Sequence, residues 1–429
     1  MNINCIKKSF LRVFGMVQRI KGTQDFLDMT LFDFFINRTV QHLTTYHFSH
    51  IATPILEPTE LFKRSLGLHT DVVTKEMYTV NTEGDSICLR PEATAPIMRA
   101  FIENAGILTT PWKVFTYGPM FRHERPQKGR FRQFHQVSIE VIDSASIDQD
   151  ALMITMLDRL FREIFKLNNF AILLNFLGCA QDRVAFKKIL EDYLATVSDK
   201  ICPQCTERKT KNILRIFDCK TESCQVIYRT APHPADHICA DCTIEWHSLQ
   251  QHLNLLGVSF AYAPTLVRGL DYYTKTVFEF VSNNLGAQNA FCGGGRYDML
   301  SELLDGPADK PSIGAAIGIE RALLLLEANK DVLALPQPPA LHVVIPLSKE
   351  QHTLALLVAD ELLANSLCTE VLLDGSVKSM MRKANKMGAR YCLILGSEEQ
   401  EQKMVMVKNM LNGTEEKMRQ TEVVSFLKK

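Results

Sequence analysis

Hydrophobic and polar positions alternate or recur along this chain with periods that set out its elements. Apolar residues recur at helical spacing over 31–46, predicting an amphipathic helix after the loop Gly22-Thr23-Gln24-Asp25, with Asp28 or Thr30 as its cap. Residues 50–57 (HIATPILE) read as a strand. Pro54 within it points to an edge or an interface, because proline cannot donate to a ladder. Residues 78–80 and 87–89 read as a hairpin about a Gly84-Asp85 turn. Strands are predicted at 112–118 and 170–176, with helices at 150–167 and 182–199. Residues 136–141 (QVSIEV) and 274–280 (TKTVFEF) alternate as half-buried strands do, so successive side chains face opposite ways. Residues 312–323 carry small side chains along a strand that runs into a helix.

Pro336-Gln337-Pro338-Pro339 punctuates the chain. Beyond it the pattern predicts strand 341–345, helix 349–365, strand 370–373, helix 377–388, strands 391–395 and 404–408, and helix 414–428. Together these form a compact α/β module with parallel βαβ units. The 429 residues suffice for two or three domains, and a hydrophobic fraction of 46% supports a sizeable core. Lys plus Arg and Asp plus Glu number 48 each, so the chain is not a generic nucleic-acid coat; any such contact must come from local clusters. No apolar run is long enough to span a bilayer. Residues 1–16 form an extension in which Arg12 interrupts the apolar segment and no cleavage site follows, so a signal peptide is not expected and a cytoplasmic location is.

The 12 cysteines suggest a reducing compartment. Two CxxC pairs, Cys202/Cys205 and Cys239/Cys242, fit one tetrahedral structural zinc site; ordinary buried cysteines are the other reading. The most charged stretch, 121–136, sets Arg122, Glu124, Arg125, Lys128, Arg130 and Arg132 in a hairpin-like frame between apolar strands. The planar fork of Arg suits phosphate and Phe134 offers a face for a base, though such a run can also be a solvated loop. Glu92 either complements a helix dipole or meets a ligand. Arg321, in a first helical turn, either pairs with an acid or meets an anion. Arg268, Asp271, Tyr272 and Tyr273 stand just before the strand 274–280 and could converge on a small polar ligand. The basic residues Lys378, Arg382, Lys383 and Lys386 form either a solvated face or a surface for RNA phosphates.

Several of these peptides carry a resemblance. Arg268-Gly269-Leu270-Asp271-Tyr272-Tyr273 and Gly293-Gly294-Gly295-Arg296-Tyr297-Asp298 resemble the two signature peptides of histidyl-tRNA synthetases. Arg90-Pro91-Glu92-Ala93-Thr94 is similar to that family's RPEGT peptide, with Ala93 in place of Gly. Phe121-Arg122-His123-Glu124 with the hairpin that follows resembles motif 2 of class II aminoacyl-tRNA synthetases. Gly318-Ile319-Glu320-Arg321 resembles motif 3, and Pro54 sits where motif 1 has its proline.

The resemblance runs from about residue 17 to the C-terminus. It implies an α+β class II catalytic domain over 17–335, built on an antiparallel sheet of six or seven strands flanked by helices. A small insertion domain would occupy 180–258 and an α/β anticodon-binding domain 340–429. The implied activity is ATP-dependent ligation of L-histidine to tRNA(His) by a homodimer, with Mg²⁺ accompanying ATP and any zinc being architectural. Arg122 and Arg268 are implied as catalytic, with Arg268 where other class II enzymes hold a metal ion. Arg122, Glu124, Arg130, Phe134 and Arg321 would bind ATP. Glu92, Thr94, Gln136, Glu140, Arg268, Tyr272, Tyr273 and Tyr297 would bind histidine. The alternative is a non-catalytic synthetase-like regulatory module that senses histidine or uncharged tRNA.

Overall fold

A computed structural model describes residues 17–68, 70–82, 84–286 and 289–428; the extension 1–16 lies outside the described residues. The chain divides into two compact units, with the break between Leu335 and Pro336.

The first unit is organised by an eight-stranded sheet of strands β1 (Ser49–His50), β5 (Trp112–Phe121), β6 (Gln133–Ile142), β11 (Ser312–Gly318), β10 (Ala290–Arg296), β9 (Thr274–Val281), β7 (Ala171–Phe176) and β8 (Ala261–Tyr262), in that spatial order. The central pairs are antiparallel, whereas the short edge strands β1 and β8 pair parallel. The sheet is therefore larger than six or seven strands and antiparallel only in its interior. The stretch 50–57 is not one strand. Its ends, β1 and β2 (Leu56–Pro58), belong to different sheets, and Pro54, which has no N–H to donate, lies in the link between them. Strand β2 instead joins β4 (Asp85–Leu89) and β3 (Tyr78–Thr82) in a small three-stranded sheet.

Alternation along the strands divides the side chains between two cores. On β6, Val137, Ile139 and Val141 enter one core with Phe35 and Leu43 of helix Thr30–Thr45 and with Ile154 and Leu157 of helix Asp148–Arg159. Leu61, Phe62, Ile97, Met98, Phe101 and Val277 form the other core with Tyr272, Tyr273 and Tyr297. Gln136, Ser138 and Glu140 alternate with the first set, so the polar half of β6 faces away from the first core.

Between β7 and β8 the chain leaves the sheet through helices Ala180–Thr196, Pro203–Lys211, Glu222–Tyr228 and Ala240–Leu255. The last of these packs Trp246, Leu249 and Leu253 onto the main core. The earlier ones share a separate, small core of nine buried residues, three of which are the cysteines Cys205, Cys219 and Cys224.

The second unit is a five-stranded sheet ordered β13 (Thr369–Val371), β12 (His342–Pro346), β14 (Tyr391–Leu395), β15 (Met404–Asn409), β16 (Glu415–Arg419). Its first three strands are parallel, as the βαβ pattern predicts, and the last two are antiparallel. Residues 414–428 are not a continuous helix. The Asn412-Gly413 dipeptide, a strong hairpin signal, turns β15 into β16, and only the end is helical, a 3-10 turn Gln420–Glu422 followed by the α-helix Val423–Leu427. Lys378, Arg382, Lys383 and Lys386 all lie on helix Val377–Lys386, and all four are exposed.

Candidate active site

A cleft of about 750 Å³ opens on the face of the eight-stranded sheet opposite the first core. Arg122, Glu124, Arg130, Phe134, Gln136, Glu92, Thr94, Arg268, Tyr272, Tyr273 and Arg321 all line it. Of the residues singled out from the sequence as ligands for nucleotide or amino acid, Glu140 and Tyr297 lie off the lining and buried, Glu140 bonded to the lining residue Thr94 and Tyr297 bonded to Glu140.

One end of the cleft is cationic. Arg122, just past the end of β5, is half-buried. Its Nε donates to the Pro91 carbonyl (2.9 Å) and its guanidinium lies 5.5 Å from the Phe134 ring centroid. Arg130 pairs with Glu124 across the hairpin. Arg321, in the first turn of helix Ile319–Glu327, reaches back to the carbonyls of Gly129 (3.0 Å) and Ala290 (2.6 Å). Burial lowers the pKa of all three arginines. Arg130 and Arg122 lower that of Arg321 further, and Arg122 lowers that of Arg130. Guanidinium groups gathered so that each destabilises the next are costly to the fold alone and suited to a polyanion.

Arg268 stands apart. It is half-buried, paired with Glu279 of β9, and 5.8 Å from the Tyr273 ring centroid. Burial works against its charge, but Glu279, Tyr273 and Tyr272 outweigh that and raise its pKa. Its guanidinium occupies space left by Gly293, where a Cβ would come within 2.7 Å of Nη1.

The other end is acidic and phenolic. The Glu92 carboxylate accepts the backbone N–H groups of Thr94 (2.7 Å) and Ala95 (3.0 Å), capping helix Thr94–Asn104 from within the site. Ala93 has φ −115°, so the position does not demand glycine's left-handed backbone. Thr94 Oγ1 donates to Glu140 (2.7 Å), and the Tyr297 hydroxyl donates to the other Glu140 oxygen. Gly314, opposite Glu140 on β11, leaves room for that carboxylate, which a Cβ there would overlap. Burial pushes the Glu140 pKa up to about 8; the hydrogen bonds from Tyr297 and Thr94 hold it down, while Glu92 adds to the rise. Burial likewise raises Glu92 and the tyrosines 272, 273 and 297.

The raised Glu140 pKa has a measurable consequence. The folded state holds the Glu140 proton more tightly than the unfolded chain, where a glutamate titrates near its ordinary value of 4.5. The stability from this group is complete below about pH 4.5 and is lost as pH rises towards about 8. Urea midpoints of the ligand-free protein should fall across that window, and Glu140→Gln should flatten the slope. An unchanged slope in the variant would assign the titration elsewhere.

Several lining residues carry no signal strong enough to single them out in the sequence. Glu279 shows there only as a charge within an apolar alternating run. Glu76 faces Arg122 and Arg130. Glu320 stands beside the motif 3 arginine, and its carboxylate accepts the His135 N–H (2.9 and 3.0 Å) and contacts that imidazole (2.8 Å). Gln204, Arg208, Arg215, Asp218 and Lys220 reach the cleft from the inserted segment, with Arg215 paired to Asp71 at 2.8 Å. No local pattern marks these five, because their place in the cleft depends on how the inserted helices pack.

These features agree with what the chain resembles. Residues 35–322 match the family model described as histidyl-tRNA synthetase. The chain belongs to the histidyl-tRNA synthetase family. Residues 342–429 match a second model, the anticodon binding domain. "Histidine--tRNA ligase" from Solidesulfovibrio magneticus is 42% identical over 96% of this chain and 97% of its own length. The protein of the same name from Thermodesulfovibrio yellowstonii is 41% identical over 90% and 92%. The crystal structure of apo S. aureus histidyl-tRNA synthetase superposes with a TM-score of 0.80 at 31% identity, covering 96% of this chain and 100% of that one. The fold is thus that of a class II synthetase catalytic domain followed by an anticodon-binding α/β domain.

The cysteines correct the zinc expectation. The two CxxC pairs do not share a site. Cys202 and Cys205 gather with Cys219 and Cys224, while Cys239 and Cys242 gather with Cys179 and Asp182, the ligand atoms of each group lying within 4.8 Å of one another. The helices between the pairs carry them to different places, and each pair meets its other candidate ligands from elsewhere in the chain.

Proposed function

We propose that the cationic end of the cleft holds the triphosphate of ATP and that the acidic, phenolic end holds histidine. The chain is a histidine–tRNA ligase, in keeping with full-length relatives at about 40% identity. The histidine carboxylate attacks the α-phosphate, yielding histidyl-adenylate and pyrophosphate; the terminal ribose hydroxyl of tRNA(His) then attacks the acyl carbon. Positioning and charge neutralisation supply most of the catalysis in such transfers.

In this reading Arg122 and Arg268 hold the α-phosphate and carboxylate from opposite sides, Arg130 and Arg321 hold the β- and γ-phosphates, and Phe134 stacks on adenine. Glu124 orients Arg130 beside the nucleotide. Glu92 and Thr94 meet the amino group, and Gln136, Glu140, Tyr272, Tyr273 and Tyr297 surround the imidazole. Pairing both ring nitrogens rejects apolar analogues, because the site's own polar groups would be left unpartnered. The Gln136 side-chain oxygen, buried with no hydrogen-bond partner, supports this, since an imidazole N–H could satisfy it. Mg²⁺ would arrive with ATP and neutralise phosphate charge; Glu124 and Glu279 offer the hard oxygen donors such an ion accepts.

The basic helix Val377–Lys386 is read as the tRNA phosphate contact. Exposed Ile55 and Leu56 beside Pro54 suit burial by a second copy, so a homodimer is proposed. No described helix is long and apolar enough to cross a membrane, and a ligase for tRNA suits a cytoplasmic location.

The observation that carries this reading is the gathering of Arg122, Arg130 and Arg321 in one cleft with two buried carboxylates at its far end. Histidine-dependent exchange of pyrophosphate into ATP tests it. Exchange is expected. Silence with retained tRNA binding would favour the regulatory module, and silence with histidine binding alone would favour a histidine sensor.

A further inference from the structure

We propose that Cys202, Cys205, Cys219 and Cys224 form a tetrathiolate site for one structural zinc ion that fixes the cleft-facing edge of the inserted helices. The sulfurs are spaced for it. Four thiolates about 2.3 Å from one zinc stand at the corners of a tetrahedron whose edges are ~3.8 Å. Cys202 Sγ and Cys219 Sγ lie 3.8 Å apart, and all four sulfurs fall within 4.8 Å of one another. That is far longer than the ~2.05 Å of a disulfide, and it leaves room for a single ion rather than a multinuclear cluster.

The surroundings fit thiolates. The backbone N–H of Cys202 points at Cys224 Sγ (3.2 Å) and that of Thr221 at Cys219 Sγ (3.4 Å), donors of the kind that steady metal-bound sulfur. Binding would release the thiol protons to solvent. The local core is also short of apolar mass, since three of its nine buried residues are the cysteines themselves. A small core of this kind gains much of its folding energy from a bound metal.

The other cysteine group has a different explanation. Asp182 there accepts the N–H of Cys179 (3.1 Å) and of Cys239 (2.9 Å), capping two helix starts, while the Cys179 thiol donates to Gln181 (3.1 Å). Its polar atoms are used without an ion, and Cys239 is exposed.

The site sits directly behind the cleft wall. Cys205 lies on helix Pro203–Lys211 with Gln204 and Arg208, and Cys219 lies between Asp218 and Lys220; all four neighbours line the cleft. A metal tying these segments together would hold that wall in place. This consequence rests on the ligase reading, whereas metal binding itself does not.

The test is metal analysis of the purified full chain in chelator-free buffer, with cobalt substitution. One zinc per chain is expected, and the cobalt form should show the visible absorption of a tetrahedral thiolate site. Cys219→Ser and Cys224→Ser should lose both the zinc and the cobalt signal, while Cys239→Ser keeps them. If the serine variants do not fold, a mercurial titration of the wild type should release the zinc as four thiols react. Metal-free protein that gives no cobalt spectrum, iron in place of zinc, or zinc lost from Cys239→Ser but kept in Cys219→Ser would overturn the site. Pyrophosphate exchange is read separately. Removing the zinc should raise the KM for ATP, and an unchanged KM in an otherwise active, zinc-free enzyme would overturn the wall alone.

Discussion

Replacing Arg268 by His should cut histidine-dependent pyrophosphate exchange by about 10²–10³-fold, the loss typical of removing one preorganised group from a transition-state charge. Arg268 is proposed to face the α-phosphate from the side opposite Arg122. Two features hold it there: the Glu279 carboxylate and the space over Gly293. The shorter imidazole cannot reach as far or present a planar fork. Glu279 keeps about a fifth of its surface exposed, so the carboxylate left behind can be met by water and the fold should survive. Arg268→Lys, which retains charge without the fork, should fall between the wild type and the His variant. Circular dichroism checks the fold and exchange rates the chemistry. Near-normal exchange in Arg268→His would remove that side chain from the mechanism.

The second large effect is expected at a signature residue outside the cleft. Arg296, within Gly293-Gly294-Gly295-Arg296-Tyr297-Asp298, is fully buried. It donates to both oxygens of Asp150 and to the carbonyls of Ser144 (2.7 Å) and Ser146 (3.0 Å). Arg296→Met leaves Asp150 buried without its cation, and breaking such a pair typically costs about 3–5 kcal/mol. The urea midpoint should fall accordingly, with the KM for histidine unchanged in the protein that remains folded. Adding Asp150→Leu should restore much of the loss, because the stranded charge is then gone. A single variant as stable as the wild type would mean that solvent reaches this pair.

These two arginines mark how far the sequence can be read. Both lie in signature peptides, and nothing local distinguishes them. The side of the sheet decides. Arg268 enters the cleft from the turn before β9, whereas Arg296, at the end of β10, turns under the sheet towards helix Asp148–Arg159. Glu140 is more legible. The alternation of 136–141 by itself puts Gln136, Ser138 and Glu140 on one face, and the cleft lies on that face. The C-terminal hairpin departs from the helix predicted over 414–428 because the charged residues 415–417 suit an exposed helix as well as an edge strand. The Asn412-Gly413 turn carries the decisive signal, and pairing with β15 settles it.

Local sequence determined most of the elements, because hydrophobic period and turn chemistry act over a few residues; 50–57 and 414–428 are the exceptions, where pairing with other strands decided. The same short-range order fixed the family peptides and the polar face of β6. It could not determine which distant groups meet. The gathering of Arg122, Arg130 and Arg321 around one cleft, the entry of Arg208 and Arg215 from the inserted helices, and the parting of the two CxxC pairs into separate groups were decided by packing. Each joins residues far apart in the chain, and that proximity exists only once the cores on the two faces of the sheet have formed.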